Sequence, residues 1–140
     1  MLIGKKLRSY PILKQMHPED RTMQNLSTHI LDTTCGQPAT EVLVTLYRQG
    51  SPETTTWTKI GSGSTDTDGR FRQFFDTQQT AGLQRGVYKL HFEVDSYFRY
   101  RKVESFYPFV EIVFAVVNET QHYHIPLLLN PFGYTTYRGS

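Results

Sequence analysis

Between Val87 and Val94 the side chains alternate without a break. Tyr88, Leu90, Phe92 and Val94 are apolar, while Lys89, His91 and Glu93 lie between them. Successive side chains of a β-strand point to opposite faces, so this run fits a sheet with one dry face and one wet face and does not fit a helix. Shorter runs of the same kind surround it. Leu26-Ser27-Thr28-His29-Ile30-Leu31-Asp32 is ended by Cys35-Gly36-Gln37-Pro38. Glu41 to Arg48 places Val42, Val44 and Leu46 on one face and Leu43, Thr45 and Tyr47 on the other. Thr55 to Gly61, around Trp57, is a third strand, followed by a turn-rich loop from Gly61 to Gly69. The Asp68-Gly69 pair opens onto Arg70-Phe71-Arg72-Gln73-Phe74. Asp95-Ser96 resembles a helix cap, with one or two helical turns over Tyr97 to Glu104. Phe109 to Val117 is nearly all apolar, as expected of a central strand covered on both faces. Gln121 to Leu129 reads as another strand, joined through Asn130-Pro131-Phe132-Gly133 to a last one through Tyr134, Thr135, Thr136 and Tyr137. Seven or eight short strands with one short helix, separated by turn signals, predict an all-β, two-sheet β-sandwich.

At 140 residues the chain fits one such domain. Residues 1–24 show neither period and read as a flexible leader, which leaves 25–140 as the domain. A net charge of +2 is too small to argue for nucleic acid. No apolar run approaches the roughly 18 residues of a spanning helix, so no membrane partner is expected. The leader also lacks the continuous apolar stretch of a secretory signal. Cys35 is the only cysteine, which rules out an intrachain disulfide and suits a reducing compartment.

Strand parity sorts the polar residues. His29 shares a face with Ser27 and Leu31. His122 and His124 share one with Pro126 and Leu128, and Tyr137 lies with Thr135 and Gly139. A terminal hairpin of this composition brings histidines close to Tyr137, Arg138 and Ser140, which marks a candidate site. Parity alone favours ordinary solvated strand residues. Pro126 cannot donate to a ladder, so an edge or a bulge is its expected place, and an interruption there would aim His124. Arg70, taken alone, is a surface charge. No cysteine pair or His-Glu-x-x-His spacing accompanies the histidines, so no metal is expected. Gly61-Ser62-Gly63-Ser64 lacks the lysine of a phosphate loop.

Five segments together carry a resemblance. Leu26-Ser27-Thr28-His29-Ile30-Leu31-Asp32, Thr67-Asp68-Gly69-Arg70, Phe106-Tyr107-Pro108-Phe109-Val110-Glu111, His122-Tyr123-His124-Ile125-Pro126-Leu127-Leu128-Leu129 and the closing Tyr137-Arg138-Gly139-Ser140 resemble the transthyretin-like family. Within it they resemble the 5-hydroxyisourate hydrolases of purine catabolism. Hormone-carrying transthyretins share the fold but replace these functional residues and continue past this terminus.

The resemblance implies a transthyretin-like sandwich and a homotetramer. Edge strands would pair into dimers, two dimers would pack face to face, and the active sites would line a channel at the dimer–dimer interface. It implies hydrolysis of 5-hydroxyisourate, a small-molecule substrate, to 2-oxo-4-hydroxy-4-carboxy-5-ureidoimidazoline without a cofactor. His29, Arg70, His124 and Ser140 would carry catalysis; His29, Arg70, Tyr137 and Arg138 would bind substrate. His122, nearer the strand's start, is expected to matter less. The alternative is a tetrameric carrier of a hydrophobic hormone without catalysis. Many animal relatives carry an N-terminal peroxisomal signal of the form Arg/Lys-Leu, five residues, His/Gln-Leu/Ala. Here Lys6-Leu7 opens that pattern, but Leu13-Lys14 stands where its second half belongs, so the cytosol is the expected compartment.

Overall fold

The computed structural model describes residues 24–76 and 81–140; the leader up to residue 23, with both halves of the peroxisomal pattern, lies outside them. Among the described residues nine strands and one helix follow in order. They are β1 Leu26–Asp32, β2 Gln37–Pro38, β3 Leu43–Gln49, β4 Trp57–Ser64 and β5 Arg70–Phe71. After these come β6 Gly86–Phe92, the helix α1 Val94–Tyr100, β7 Val110–Val116, β8 Tyr123–Asn130 and β9 Gly133–Thr136.

The strands form two sheets. In one the order is β2-β1-β8-β9, with β5 also paired to β1; in the other it is β4-β3-β6-β7. Their inner faces meet in one core. Leu26, Ile30, Leu127 and Leu129 come from the first sheet, and Val44, Leu46, Leu90 and Phe92 from the second, each at most 0% exposed. Burying each such side chain stabilises the fold by about 1.5–3 kcal/mol. Asn25 ties the entrance of β1 to the approach of β8: its amide donates to the Glu119 and Gln121 carbonyls and accepts from the Leu83 N–H. Gln24, assigned by sequence to the leader, belongs to the packed structure, because its side chain exchanges hydrogen bonds with both backbone groups of Phe75.

Several expectations give way here. The loop expected from Gly61 is strand as far as Ser64. Gly61 and Gly63 are not turn residues: a Cβ on Gly61 would stand 1.9 Å from the Phe74 carbonyl, and one on Gly63 2.2 Å from the Phe71 ring. They leave room for an edge-to-face pair, Phe71 on Phe74 with centroids 4.7 Å apart. The strand expected from Arg70 to Phe74 stops at Phe71, since Phe74 drops into the core at 1% exposure. The helix begins at Val94, ahead of the expected Asp95-Ser96 cap, and Glu93 caps it without a side-chain bond. Val94, Tyr97 and Phe98 bury one stripe of it, so Val94 satisfies both the strand's alternation and the helix's spacing. The helix also ends early, at Tyr100. Lys102 takes φ 58°, and the Val103 N–H returns to the Phe98 carbonyl in a Schellman closure.

The nearly all-apolar run expected to be a central, doubly covered strand is β7, an edge strand of its sheet. Its outer side is open within one chain, with Val113 58% and Val117 63% exposed. Apolar composition reports that a strand avoids water, not whether its own chain provides the cover. Of the two places expected for Pro126, an edge or an interruption, the structure shows the second: it lies in β8, which is flanked by β1 and β9 and is not an edge. The sheet tolerates it because its nitrogen faces the side where the β8–β9 ladder is interrupted. Leu127 pairs with Thr136 and His124 with Gly139, so Pro126 stands opposite Tyr137, where no ladder pairing is made.

Candidate functional site

Parallel pairing of β1 with β8 assembles the site. Ser27 is the partner of His124 and His29 the partner of Pro126, so the outward positions of both strands lie side by side. On the other flank of β1, antiparallel pairing sets His29 directly opposite Arg70. Opposed residues share a face with Cβ atoms about 4.5–5.5 Å apart. His29, Arg70 and His124 therefore converge on the outer face of the five-stranded sheet, while Thr28, Ile30, Ile125 and Leu127 face the core.

Local structure fixes each of the three. Arg70 leaves a tight loop in which the Asp66 carboxylate accepts the backbone N–H groups of Asp68 and Arg70 at 2.9 and 3.0 Å. Gly69 closes that loop at φ +73°. A Cβ there would stand 2.5 Å from the Ile30 carbonyl, which is why the Asp-Gly pair is needed beside β1. His124 is held from two sides. Its Nδ1 lies 2.8 Å from the Ser27 hydroxyl, and its carbonyl accepts the Gly139 N–H at 2.8 Å. A side chain at 139 would clash with the imidazole, its Cβ 2.5 Å from Cδ2. Ser140, the next residue, is exposed beside this contact.

Both imidazoles are pushed below the ordinary histidine value of 6.5. Burial is the first cause in each case and the Arg70 guanidinium the second. For His124, His122 and His29 add further repulsion, whereas for His29 the Asp68 backbone and the Asp66 and Asp68 charges pull partly back. Both rings are thus held neutral at neutral pH, able to accept a proton, with a permanent cation beside them.

Tyr137 and Arg138 go elsewhere. Tyr137 is 56% exposed and lines a cavity of about 260 Å³ with Ile112, Phe114 and Thr136, at the open end between the two sheets. Arg138 lies over the Tyr123 ring, 4.5 Å from its centroid, and donates to Gln121. Within one chain neither joins the histidine cluster. His91 is also apart, on the other sheet, where Glu111 and Glu93 take its two nitrogens at 2.9 and 2.8 Å. A larger cavity of about 530 Å³, lined by Arg48, Thr58 and Arg85, carries no histidine.

Two participants escaped the sequence reading. Ser27 shares the parity of His29, a signal that was available, but its place beside His124 depends on a strand pairing across 97 residues. Asp66 could have been found from the Asp-Thr-Asp-Gly spacing, which suits a carboxylate capping its own turn.

The comparisons agree on the lineage. The model of the HIUase/Transthyretin family matches residues 26–139. A 5-hydroxyisourate hydrolase of Mus musculus is 44% identical over 115 residues, covering 82% of this chain and 94% of the mouse protein. The structure of Klebsiella pneumoniae 5-hydroxyisourate hydrolase superposes with a TM-score of 0.68 at 36% identity, covering 82% of this chain and 98% of that one. Sea bream transthyretin, solved in complex with thyroxine, gives a TM-score of 0.73 at 31% identity, covering 82% of this chain and 94% of that one. Hydrolase and carrier share the backbone, so the fold cannot separate them; the side chains on the outer face must. By the family match and by these identities over most of its length, the chain belongs to the HIUase/Transthyretin family.

Proposed function

We propose that this protein is a hydrolase of urate degradation that opens 5-hydroxyisourate to 2-oxo-4-hydroxy-4-carboxy-5-ureidoimidazoline. One observation carries the reading: two neutral imidazoles and a guanidinium converge on one sheet face. Hydrolysis of a cyclic amide needs a proton taken from water, a proton given to the leaving nitrogen, and a cation where oxyanion charge builds. His29 and His124, both lowered from the ordinary histidine value and so unprotonated at neutral pH, divide the proton transfers. Arg70 holds the carbonyl-rich substrate and steadies the developing charge, worth a few kcal/mol once water is excluded. Ser140, next to the Gly139–His124 contact, orients substrate or water. The reaction uses no cofactor.

Within one chain the cluster stands on an open sheet face. It becomes a water-poor crevice in a homotetramer whose dimers pack outer face to outer face. The free edges at β7 and β9 are where chains would join into dimers, and Tyr137 and Arg138, at that end, would reach substrate through the assembly. Among the described residues no helix is long and apolar enough to cross a membrane, and a cytosolic enzyme is the reading that the single cysteine favours.

The test follows hydroxyisourate, freshly made from urate by urate oxidase, by its ultraviolet absorbance against spontaneous decay. Replacing His29, Arg70 or His124 with alanine should each bring the rate close to spontaneous decay, with effects that do not add. Wild-type turnover in all three would end the proposal. A hormone carrier has the backbone in its favour, but a face bearing His29, Arg70 and His124 suits a small polar ligand. Tight thyroxine binding by calorimetry without turnover would establish the carrier instead.

A further inference from the structure

The Ser27 hydroxyl touches two imidazoles at once, His124 through Nδ1 and His122 through Nε2, both at 2.8 Å. A serine hydroxyl has a single proton: it can donate to one ring and accept from the other, but it cannot satisfy two acceptors. Where the hydroxyl donates to one ring and accepts from the other, the three side chains form a directional chain. When Ser27 donates to His124 Nδ1, His122 must present Nε2–H, and a neutral His124 carries its proton on Nε2. When His124 donates through Nδ1, Ser27 passes its own proton to His122, and His124 Nε2 is a free base.

We infer that Ser27 and His122 are positioning residues of the catalytic centre, a relay that sets the tautomer of His124 and exchanges its proton with solvent. This rests on the hydrolase reading. Proton flow balances along the chain. When His124 Nε2 takes a proton from the attacking water, Nδ1 releases one to Ser27 Oγ. The Ser27 proton then moves to His122 Nε2. His122 is exposed and gives up its added charge to water, whereas His124 is half-buried, so charge leaves the crevice by the wet end. The groups facing His124 favour this discharge: Arg70 from β5, His29 from β1 and His122 from its own strand all oppose a second positive charge. His122 is thus more than the nearest surface histidine, and it counts through Ser27 rather than by touching substrate.

The experiment combines histidine side-chain ¹⁵N NMR with turnover, on the full chain, in wild type, Ser27→Ala, Ser27→Thr and His122→Asn. In wild type, protonation of His124 should also move the ring ¹⁵N shifts of His122. Ser27→Ala should uncouple them, change the tautomer balance of His124, and lower kcat about tenfold or more with little change in KM. Ser27→Thr keeps the hydroxyl and should restore both readouts. His122→Asn should shift the acidic limb of the kcat profile while KM holds. Circular dichroism and sedimentation should match wild type in every variant, since Ser27 points away from the core. The relay is wrong if Ser27→Ala keeps the wild-type kcat and pH profile, or if protonation of His124 leaves the ring ¹⁵N shifts of His122 unmoved in wild type. Absence of hydroxyisourate turnover in wild type itself would overturn the hydrolase reading, and the NMR coupling would then report on the relay separately.

Discussion

Gly139 shows how much one missing carbon can matter. Its N–H is bonded to the His124 carbonyl, and its α-carbon sits where any Cβ would press on the His124 ring at 2.5 Å and on Pro126 Cγ at 3.3 Å. Gly139→Ala should displace the imidazole and cut turnover about tenfold or more while the melting temperature changes little, because the contact lies outside the core. A kinetic assay beside a thermal melt checks this; unchanged kcat/KM would show that His124 has slack. The pH profile is a second residue-scale expectation. The pKa values of His29 and His124 are lowered from 6.5, chiefly by burial and then by Arg70. A base must be unprotonated to act, so the acidic limb of kcat/KM should fall below 6.5. Arg70→Gln removes the second cause and should move that limb upward, toward the ordinary value. A limb that stays in place would mean the guanidinium does not feel the imidazoles. His29, Arg70 and His124 could be named from the sequence because they stand within short, dense motifs. Ser27 could not be, because serine in a strand is ordinary until its cross-strand partner is known.

At the scale of elements, β1 and α1 are joined through one buried carboxylate. Asp32, 4% exposed, accepts the Tyr97 hydroxyl at 2.8 Å and the Thr34 N–H at 2.9 Å. Burial, followed by Asp32 itself, pushes the Tyr97 phenol well above the usual tyrosine range, so it remains a donor at any physiological pH. Tyr97→Phe leaves the carboxylate short of a partner and should cost about 1–3 kcal/mol in denaturant unfolding. A loss of only a few tenths would mean that Asp32 finds another partner. The packing of β4 against Phe71 and Phe74 makes the companion case. Gly63→Val should destabilise by about 1–3 kcal/mol through overpacking, since its Cβ would enter the Phe71 ring. Wild-type stability there would show that the ring can swing aside. Gly61 and Gly63 also explain why β4 was illegible beyond Gly61: by local composition Gly-Ser-Gly-Ser reads as a turn, and its pairing with β3, with Phe71 and Phe74 packed against the two glycines, is a tertiary matter.

For the whole molecule, the histidine face is unroofed in a single chain, so activity should depend on assembly. Sedimentation should find four chains of 16.3 kDa each at working concentration. Specific activity should fall on dilution to the point where smaller species appear. Full activity in a verified monomer would sink the tetrameric crevice. What the sequence determined by itself was everything with a short period: the inward stripes of β1, β3 and β6, the two-sheet class, and the motifs that mark His29, Arg70 and His124. The stripes and the sheet class follow from side-chain alternation, which each segment carries alone, while the three site residues were marked by the family resemblance of their motifs. The tertiary structure decided which strands are neighbours, that β7 is an edge, that Pro126 lies in an inner strand, and that Tyr137 lines a cavity with residues of β7 and β8. Pairing is a property of two segments at once. The bond between Ser27 and His124 spans 97 residues and exists only because β1 lies parallel to β8 in a single register.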